Sequence, residues 1–205
     1  MRKLFALLLT LALMFTILSP VLADHSVVPE EGVLDETAAL DTAVAELSRC
    51  LGCEEDQIRG CYYYRAVYSR TSSWSNYPSW DVMVFGPSAD GEAYTRSDFE
   101  LNALTGEVLH KEIGSYSYPE YQVMETPAIP RKDQMQPAEA VALAREMIRE
   151  ALELSDEEMN STWRHYVLSG WNTGSEHRYA VTVGHQDLWS NAWHAVLDMD
   201  SGSVI

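Results

Sequence analysis

Positive charge is scarce in this chain. Its 205 residues hold 14 Lys+Arg against 31 Asp+Glu, a formal net charge of −17. Nucleic acid and anionic lipid surfaces repel such a chain, so neither is an expected partner. Cysteine is nearly absent, with Cys50, Cys53 and Cys61 the only three. The usual signatures of chemistry are missing as well. There is no G-x-S-x-G, no S-x-x-K and no Gly-rich phosphate loop, which removes the common nucleophilic and nucleotide-binding layouts. The acidic residues fall mainly on helix faces and turns, the pattern of solvated surface, so no catalytic pair stands out. No catalytic residue and no cofactor are expected.

Hydrophobic residues make up 46% of the chain, enough for a packed core. Only one apolar run is long. Arg2 and Lys3 precede a run over 4–18, Ser19-Pro20 breaks it, and Val21-Leu22-Ala23 supplies small or branched residues before Asp24. This is the layout of a secretory signal peptide over 1–23. The run is shorter than the ~20 residues of a membrane-spanning helix, which favours cleavage over an uncleaved anchor. No Cys follows it, so no lipid anchor is expected. The mature protein is expected to be soluble, secreted or extracytoplasmic, and associated with the cell envelope, without a membrane span.

The remainder contains an internal repeat. Residues 36–58 match 137–159 at an offset of 101: Leu40 meets Val141, Ala43 meets Ala144, Leu47 meets Ile148 and Leu51 meets Leu152. That spacing predicts two amphipathic helices, each with one buried stripe. Asp35 or Thr37 can cap the first, and Pro137 suits the first turn of the second. Each helix is followed by an acidic turn, Glu54-Glu55-Asp56 and Asp156-Glu157-Glu158. Strand-like stretches come next. Residues 62–68 lie opposite 163–169 at the same offset. Then Trp80-Asp81-Val82-Met83-Val84 matches Tyr179-Ala180-Val181-Thr182-Val183, an aromatic-x-Val-x-Val alternation that puts three apolar side chains on one face. Finally 99–109 lies opposite 195–205 at an offset of 96, setting Asn102 against Asp198 and Thr105-Gly106 against Ser201-Gly202. Asn or Asp four residues before Gly suits a tight hairpin turn.

The expected fold is therefore α+β, with two tandem repeats. Each is an N-terminal helix packed on a three- to four-stranded antiparallel sheet. The expected division is a signal peptide over 1–23, an N-terminal segment over 24–34, repeats over 35–112 and 136–205, and a linker with Pro and Tyr over 113–135. The chain ends where the second copy is complete, as expected of an intact chain.

The Ala-rich helix stripe, the aromatic-x-Val-x-Val strand and the hairpin (Asp/Asn)-x-x-(Thr/Ser)-Gly-x-Val-(Leu/Ile), each present twice, resemble the PepSY domain over most of 35–110 and 136–205. Asn102 replaces that family's usual Asp in the first copy, which also carries the three cysteines. The resemblance implies a small α+β module, often tandem, mostly secreted or envelope-associated. It also implies a non-catalytic role in binding or restraining peptidases. No peptidase domain follows in this chain, so that action would be in trans, on an extracellular peptidase or another envelope protein.

Several residues invite sharper readings. In an exported chain the cysteines favour a disulfide, most simply Cys53–Cys61, with Cys50 as the alternative member. A redox Cys50-x-x-Cys53 and a metal site are the competing readings. His165, His177, His185 and His194 all fall in the second copy and could gather with Asp187 around a metal, although no H-x-H or H-E-x-x-H pair exists. Asp198-Met-Asp200-Ser-Gly202 resembles a calcium loop only superficially; a hairpin explains both it and its counterpart at Asn102. Aromatics are abundant. Trp80, Trp163 and Trp193 are expected in cores. Trp74 and Tyr77 in one loop, with Trp171 and Trp189 in matching loops of the second copy, are candidate partner-binding residues, able to grip peptide or cell-wall glycan.

Overall fold

The computed structural model describes residues 28–70, 76–88, 92–119, 129–173, 176–185 and 187–205. The expected signal peptide over 1–23 lies outside them. Helix α1 (Glu36–Leu51) starts where Asp35 adopts extended backbone and its carboxylate accepts from the Ala38 amide at 2.8 Å. Of the two possible caps, Asp35 is the one used. The helix stops at Gly52, whose φ of 67° closes the end with a bond to the Ser48 carbonyl. Its buried stripe is Ala39, Leu40, Ala43, Val44 and Leu47. Leu51, expected in that stripe, is instead 46% exposed, because it falls past the last turn that the sheet covers.

The acidic turn expected next is the first turn of a short helix, α2 (Glu55–Cys61), opened by a capping box between Glu54 and Gln57. Carboxylates at a helix start sit well with its partial positive charge. The second half has the same order. Helix α3 (Pro137–Ala151) begins with proline in its first turn and a Gln136–Glu139 box, and α4 (Asp156–Ser161) begins with a Ser155–Glu158 box.

Strands β1 (Tyr63–Ser69), β2 (Ser79–Pro87), β3 (Ala93–Asn102) and β4 (Val108–Pro119) follow α2. Strands β5 (His165–Thr173), β6 (Glu176–His185) and β7 (Asp187–Asp198) follow α4. All join one antiparallel sheet of seven strands in the order β4-β3-β2-β1-β5-β6-β7. The chain is thus α+β. The two sets of strands meet in the centre, where β1 pairs with β5 through Tyr64–Gly170, Arg65–Ser169 and Ala66–Leu168. Strand β4 runs on to Pro119, into the span expected to be linker.

Both long helices pack on one face of the sheet, α1 over β1 to β3 and α3 over β6 and β7, and they touch each other. The aromatic-x-Val-x-Val strands face them: Trp80, Val82, Val84, Tyr179, Val181 and Val183 are fully buried. One contiguous core runs through both halves. Each buried aliphatic side chain in it contributes roughly 1.5–3 kcal/mol relative to exposure. The first strands are matched by burial one residue away from the offset of 101. Tyr64 and Tyr166 are both 0% exposed, so they, not Tyr64 and His165, occupy like positions. Gly86 is needed in β2, since a Cβ there would lie 1.5 Å from the Tyr62 ring.

Bonds between remote segments recur with the same form. The Leu34 amide donates to Ala103 O at 2.7 Å, and the Met135 amide to Met199 O at 2.9 Å. Trp80 Nε1 donates to Leu34 O at 2.9 Å, and the Tyr179 hydroxyl to Met135 O at 2.8 Å. In the hairpins, Asn102 Oδ1 accepts from the Leu104 amide, and Asp198 Oδ1 from the Asp200 and Ser201 amides. Gly106 and Gly202 take φ of 74° and 69° and donate back to Asn102 O and Asp198 O. The lead-in segments cross over. The Val28 amide donates to Arg164 O beyond α4, and Arg59 of α2 donates to Pro130 O.

Candidate functional site

Side chains alternate across a strand, so the face that turns from the helices carries the intervening residues. On β1 to β4 these are largely aromatic and charged. Tyr63 and Phe85 stack with ring centroids 4.7 Å apart and planes 1° apart, and Tyr94 lies 6.5 Å from Tyr63. Arg96 lies over the Tyr116 ring at 5.3 Å and pairs with Asp98 at 2.6 Å. Beside them a cleft of about 250 Å³ is lined by Asp81, Met83, Arg96, Asp98, Glu100 and His110. The register explains this grouping: β2–β3 pairs Asp81 with Glu100 and Met83 with Asp98, and β3–β4 pairs Glu100 with His110.

Burial, together with the negative charges of Glu100 and Asp98, pushes the Asp81 carboxyl up to about 6. A raised folded-state value means that the folded chain holds this proton longer than the unfolded one. Stability from this group is therefore complete below about pH 4 and is lost as pH rises through about 6. Asp81→Asn should stabilise the protein by about 1–3 kcal/mol at pH 7, since the side chain is partly solvated, and by nothing at pH 3. Urea titrations at the two pH values check this; equal gains at both would exclude the titration as the cause.

At the outer side of the sheet, β4 is an edge among the described residues. Leu109, Ile113 and Tyr116 on it are 38%, 36% and 51% exposed. The opposite edge is blunted. The tail folds back on β7, with a bridge between Leu197 and Val204 and a bond from the Ile205 amide to Val196 O at 2.9 Å. Strand β4 is pinned from within by Lys111, which pairs with Glu46 of α1, and its pairing is shifted between Arg96 and Asp98, near Gly114 with φ of 62°. A charged residue and a bulge are common protections for an edge strand.

A third feature is buried where the halves meet. Glu36, 5% exposed, accepts from the Tyr166 hydroxyl of β5. Burial raises its carboxyl above the ordinary range, although the Tyr166 bond and nearby Arg145 pull the other way. Arg145 is itself tied to Trp163 O at 2.8 Å. The Ala138 amide reaches Thr37 Oγ1 at 3.4 Å, so the two helix starts lie side by side here.

The structure scatters most of the residues that the sequence singles out. All three cysteines are free thiols; the expected Cys53–Cys61 bridge is not formed. Cys50 and Cys61 are exposed and Cys53 is half-buried. Cys50 Sγ lies 3.8 Å from Lys111 Nζ and 3.8 Å from Glu46, on the last turn of α1. The histidines take separate partners: His177 with Asp200 at 3.3 Å, His194 with Thr182 at 2.9 Å, and His185 edge-on to Trp163 at 5.1 Å. Among the described residues no three His, Cys, Asp or Glu side chains gather as metal ligands. Trp80 and Trp163 are in the core, but Trp193 is 42% exposed, because β7 is an edge strand. Trp171 and Trp189, expected on loops, lie within β5 and β7. Trp74 lies outside the described residues, and Tyr77 is 54% exposed. The β4 edge and the Asp81 cleft lie outside the residues that the sequence singles out as candidates. Leu109 and Ile113, four residues apart and so on one face of a strand, are the available signal for the edge.

Among the described residues no helix is long and apolar enough to cross a membrane. No protein-family profile matches the chain, and no curated protein matches it. The crystal structure of a Clostridium difficile 630 protein described as a putative lipoprotein is similar at 14% identity, with a TM-score of 0.48. The match covers 84% of this chain and 93% of that one.

Proposed function

We propose that this chain is a secreted, non-catalytic binding protein built from a duplicated PepSY-like module, and that it captures an extracellular peptidase or another exported protein through the β4 edge. The duplication is supported by the recurring bonds Leu34–Ala103 and Met135–Met199, and by the paired hairpins at Gly106 and Gly202. The observation that carries the binding role is β4 itself, an edge of twelve residues that exposes Leu109, Ile113 and Tyr116. An extended segment of a partner can add to such an edge through main-chain hydrogen bonds, while the exposed side chains select it. The net charge of −17 favours a basic or calcium-rich partner surface and acts on the rate of encounter more than on affinity.

The purified chain, at about micromolar concentration, should slow a metallopeptidase secreted by its own host. Leu109→Asp with Ile113→Asp should weaken that inhibition about tenfold or more, with the fold intact because both residues are exposed. Full-strength inhibition by the double variant would exclude the edge. No inhibition by the wild type would count against the peptidase reading.

The stacked Tyr63–Phe85 pair on the sheet face that turns from the helices favours a second reading, a module for cell-wall glycan or peptide. Retention on isolated cell wall, lost in Phe85→Ala, is the result that reading requires.

A further inference from the structure

Cations are few in this chain, yet several meet in one place. A cavity of about 350 Å³ lies where α2, the connecting segment and the start of β6 come together, with Asp56, Arg59, Arg131, Lys132, Gln134 and His177 on its walls. Three of the chain's 14 Lys+Arg residues therefore face one concavity, opposed there by Asp56. Their existing partners do not use them up. The Arg59 side chain is 3% exposed; it pairs with Asp41 and donates to Pro130 O at 2.9 Å, but its Nε is buried with no hydrogen-bond partner among the described residues. Lys132 makes no ion pair among the described residues. Arg131 is shared between Asp133 at 3.3 Å and Asp200 at 3.5 Å. Asp200 also takes the Gln134 amide at 2.7 Å and His177 Nδ1 at 3.3 Å.

The fold does not require cations at this turn. Counted back by 101, Arg131 and Lys132 correspond to Glu30 and Glu31. Both turns close with the same bond, from the Val33 amide to Glu30 O at 3.3 Å and from the Gln134 amide to Arg131 O at 3.1 Å. The same local geometry is built with opposite charge, so the backbone of this turn does not itself require the basic pair. A buried guanidinium nitrogen without an acceptor is costly unless a further acceptor arrives.

We propose that this cavity is a binding site for a small oxyanion, a carboxylate or phosphate group, with Lys132, Arg131, Arg59 and His177 supplying the donors. Charge-assisted bonds from guanidinium and ammonium groups are the stronger class, and a walled site screens them less than open surface does. Carboxylate could come from a peptide and phosphate from a free or conjugated phosphate; both present the same acceptor oxygens. This site is separate from the β4 edge, and its test does not depend on any peptidase.

The full chain is titrated with sodium phosphate and, separately, with sodium acetate, at ionic strength held constant with sodium chloride, while the His177 ring signals are followed by NMR. The expected result is a saturable shift with at least one anion. Saturation with phosphate alone assigns the phosphate source, and saturation with acetate assigns carboxylate. Lys132→Glu should weaken binding about tenfold or more, and Arg131→Glu with Lys132→Glu should abolish it. These variants reproduce the acidic turn that the first half already folds with, and Lys132→Gln serves as the milder control. A shift that stays linear to about 50 mM for both anions, or one equal in wild type and Lys132→Glu, would show screening by an adventitious ion only and overturn the proposal.

Discussion

Trp80→Ala should lower the stability of the whole protein by about 3–5 kcal/mol. The Trp80 ring is fully buried against α1, tilted on Tyr68 at 5.4 Å, and its Nε1 donates to Leu34 O at 2.9 Å. Alanine removes the burial and the donor together. The loss is a large share of the ~5–15 kcal/mol that holds a typical domain folded. Trp80→Phe keeps a six-membered ring but loses the donor together with part of the buried indole, so its cost should fall below that of Trp80→Ala while including the orphaned carbonyl, at roughly 2–4 kcal/mol. Tyr179→Phe removes a donor alone, since its hydroxyl gives the matching bond to Met135 O, and should cost roughly 1–3 kcal/mol. Urea denaturation followed by fluorescence and by circular dichroism reads all three. With one continuous core, both probes should move together for damage in either half. Two separate transitions would mean that the halves fold independently.

The second large effect centres on Glu36. Its carboxyl is raised by burial, so between the ordinary glutamate range and its folded-state value the folded chain binds more protons than the unfolded chain. Stability from this group is full below about pH 4.5 and declines as pH rises through the folded-state value. Glu36→Gln keeps an acceptor for the Tyr166 hydroxyl and removes the titration, so the variant should lose that downward slope. Glu36→Ala instead strands a buried hydroxyl and opens a cavity, at a cost of about 2–4 kcal/mol. Melting temperatures across pH 3 to 8 distinguish the variants. A Glu36→Gln profile that still falls with pH, after Asp81 is also made Asn, would remove both groups as its cause. Tyr166→Phe should cost less than Glu36→Ala at low pH, since it removes one hydroxyl and opens no comparable cavity.

Much of the fold is legible in the sequence, because amphipathic spacing encodes it directly. The stripes of α1 and α3 and the alternating strands β2 and β6 face the core as their periods require. The hairpins at Gly106 and Gly202 are legible for a different reason. Positive φ and an Asn or Asp cap leave a short, specific signature. The first strands were legible only to within one residue. Three consecutive tyrosines, 62–64, carry no period, and a slip of one residue exchanges the two faces. Joining the two sets of strands through β1 and β5 leaves no local mark, since that pairing is between residues far apart in sequence. Strand β4 is legible at its start, where 108–109 closes the hairpin, but its continuation to Pro119 is hidden by its polarity. An exposed edge does not alternate sharply, and Pro119 near its end suggested a linker. The cavity beside His177 depends on a segment that crosses from one half to the other, which no local pattern records.

The claim that bears most on function is that β4 receives a strand from a partner. Hydrogen–deuterium exchange measures it directly, with the full chain alone and mixed with a metallopeptidase secreted by the same host. The β4 amides, exposed along one edge in the free chain, should gain protection on mixing, while exchange in α1 and β6 stays unchanged. Unaltered exchange across β4 at concentrations where the peptidase is slowed would contradict the account and place the docking surface elsewhere.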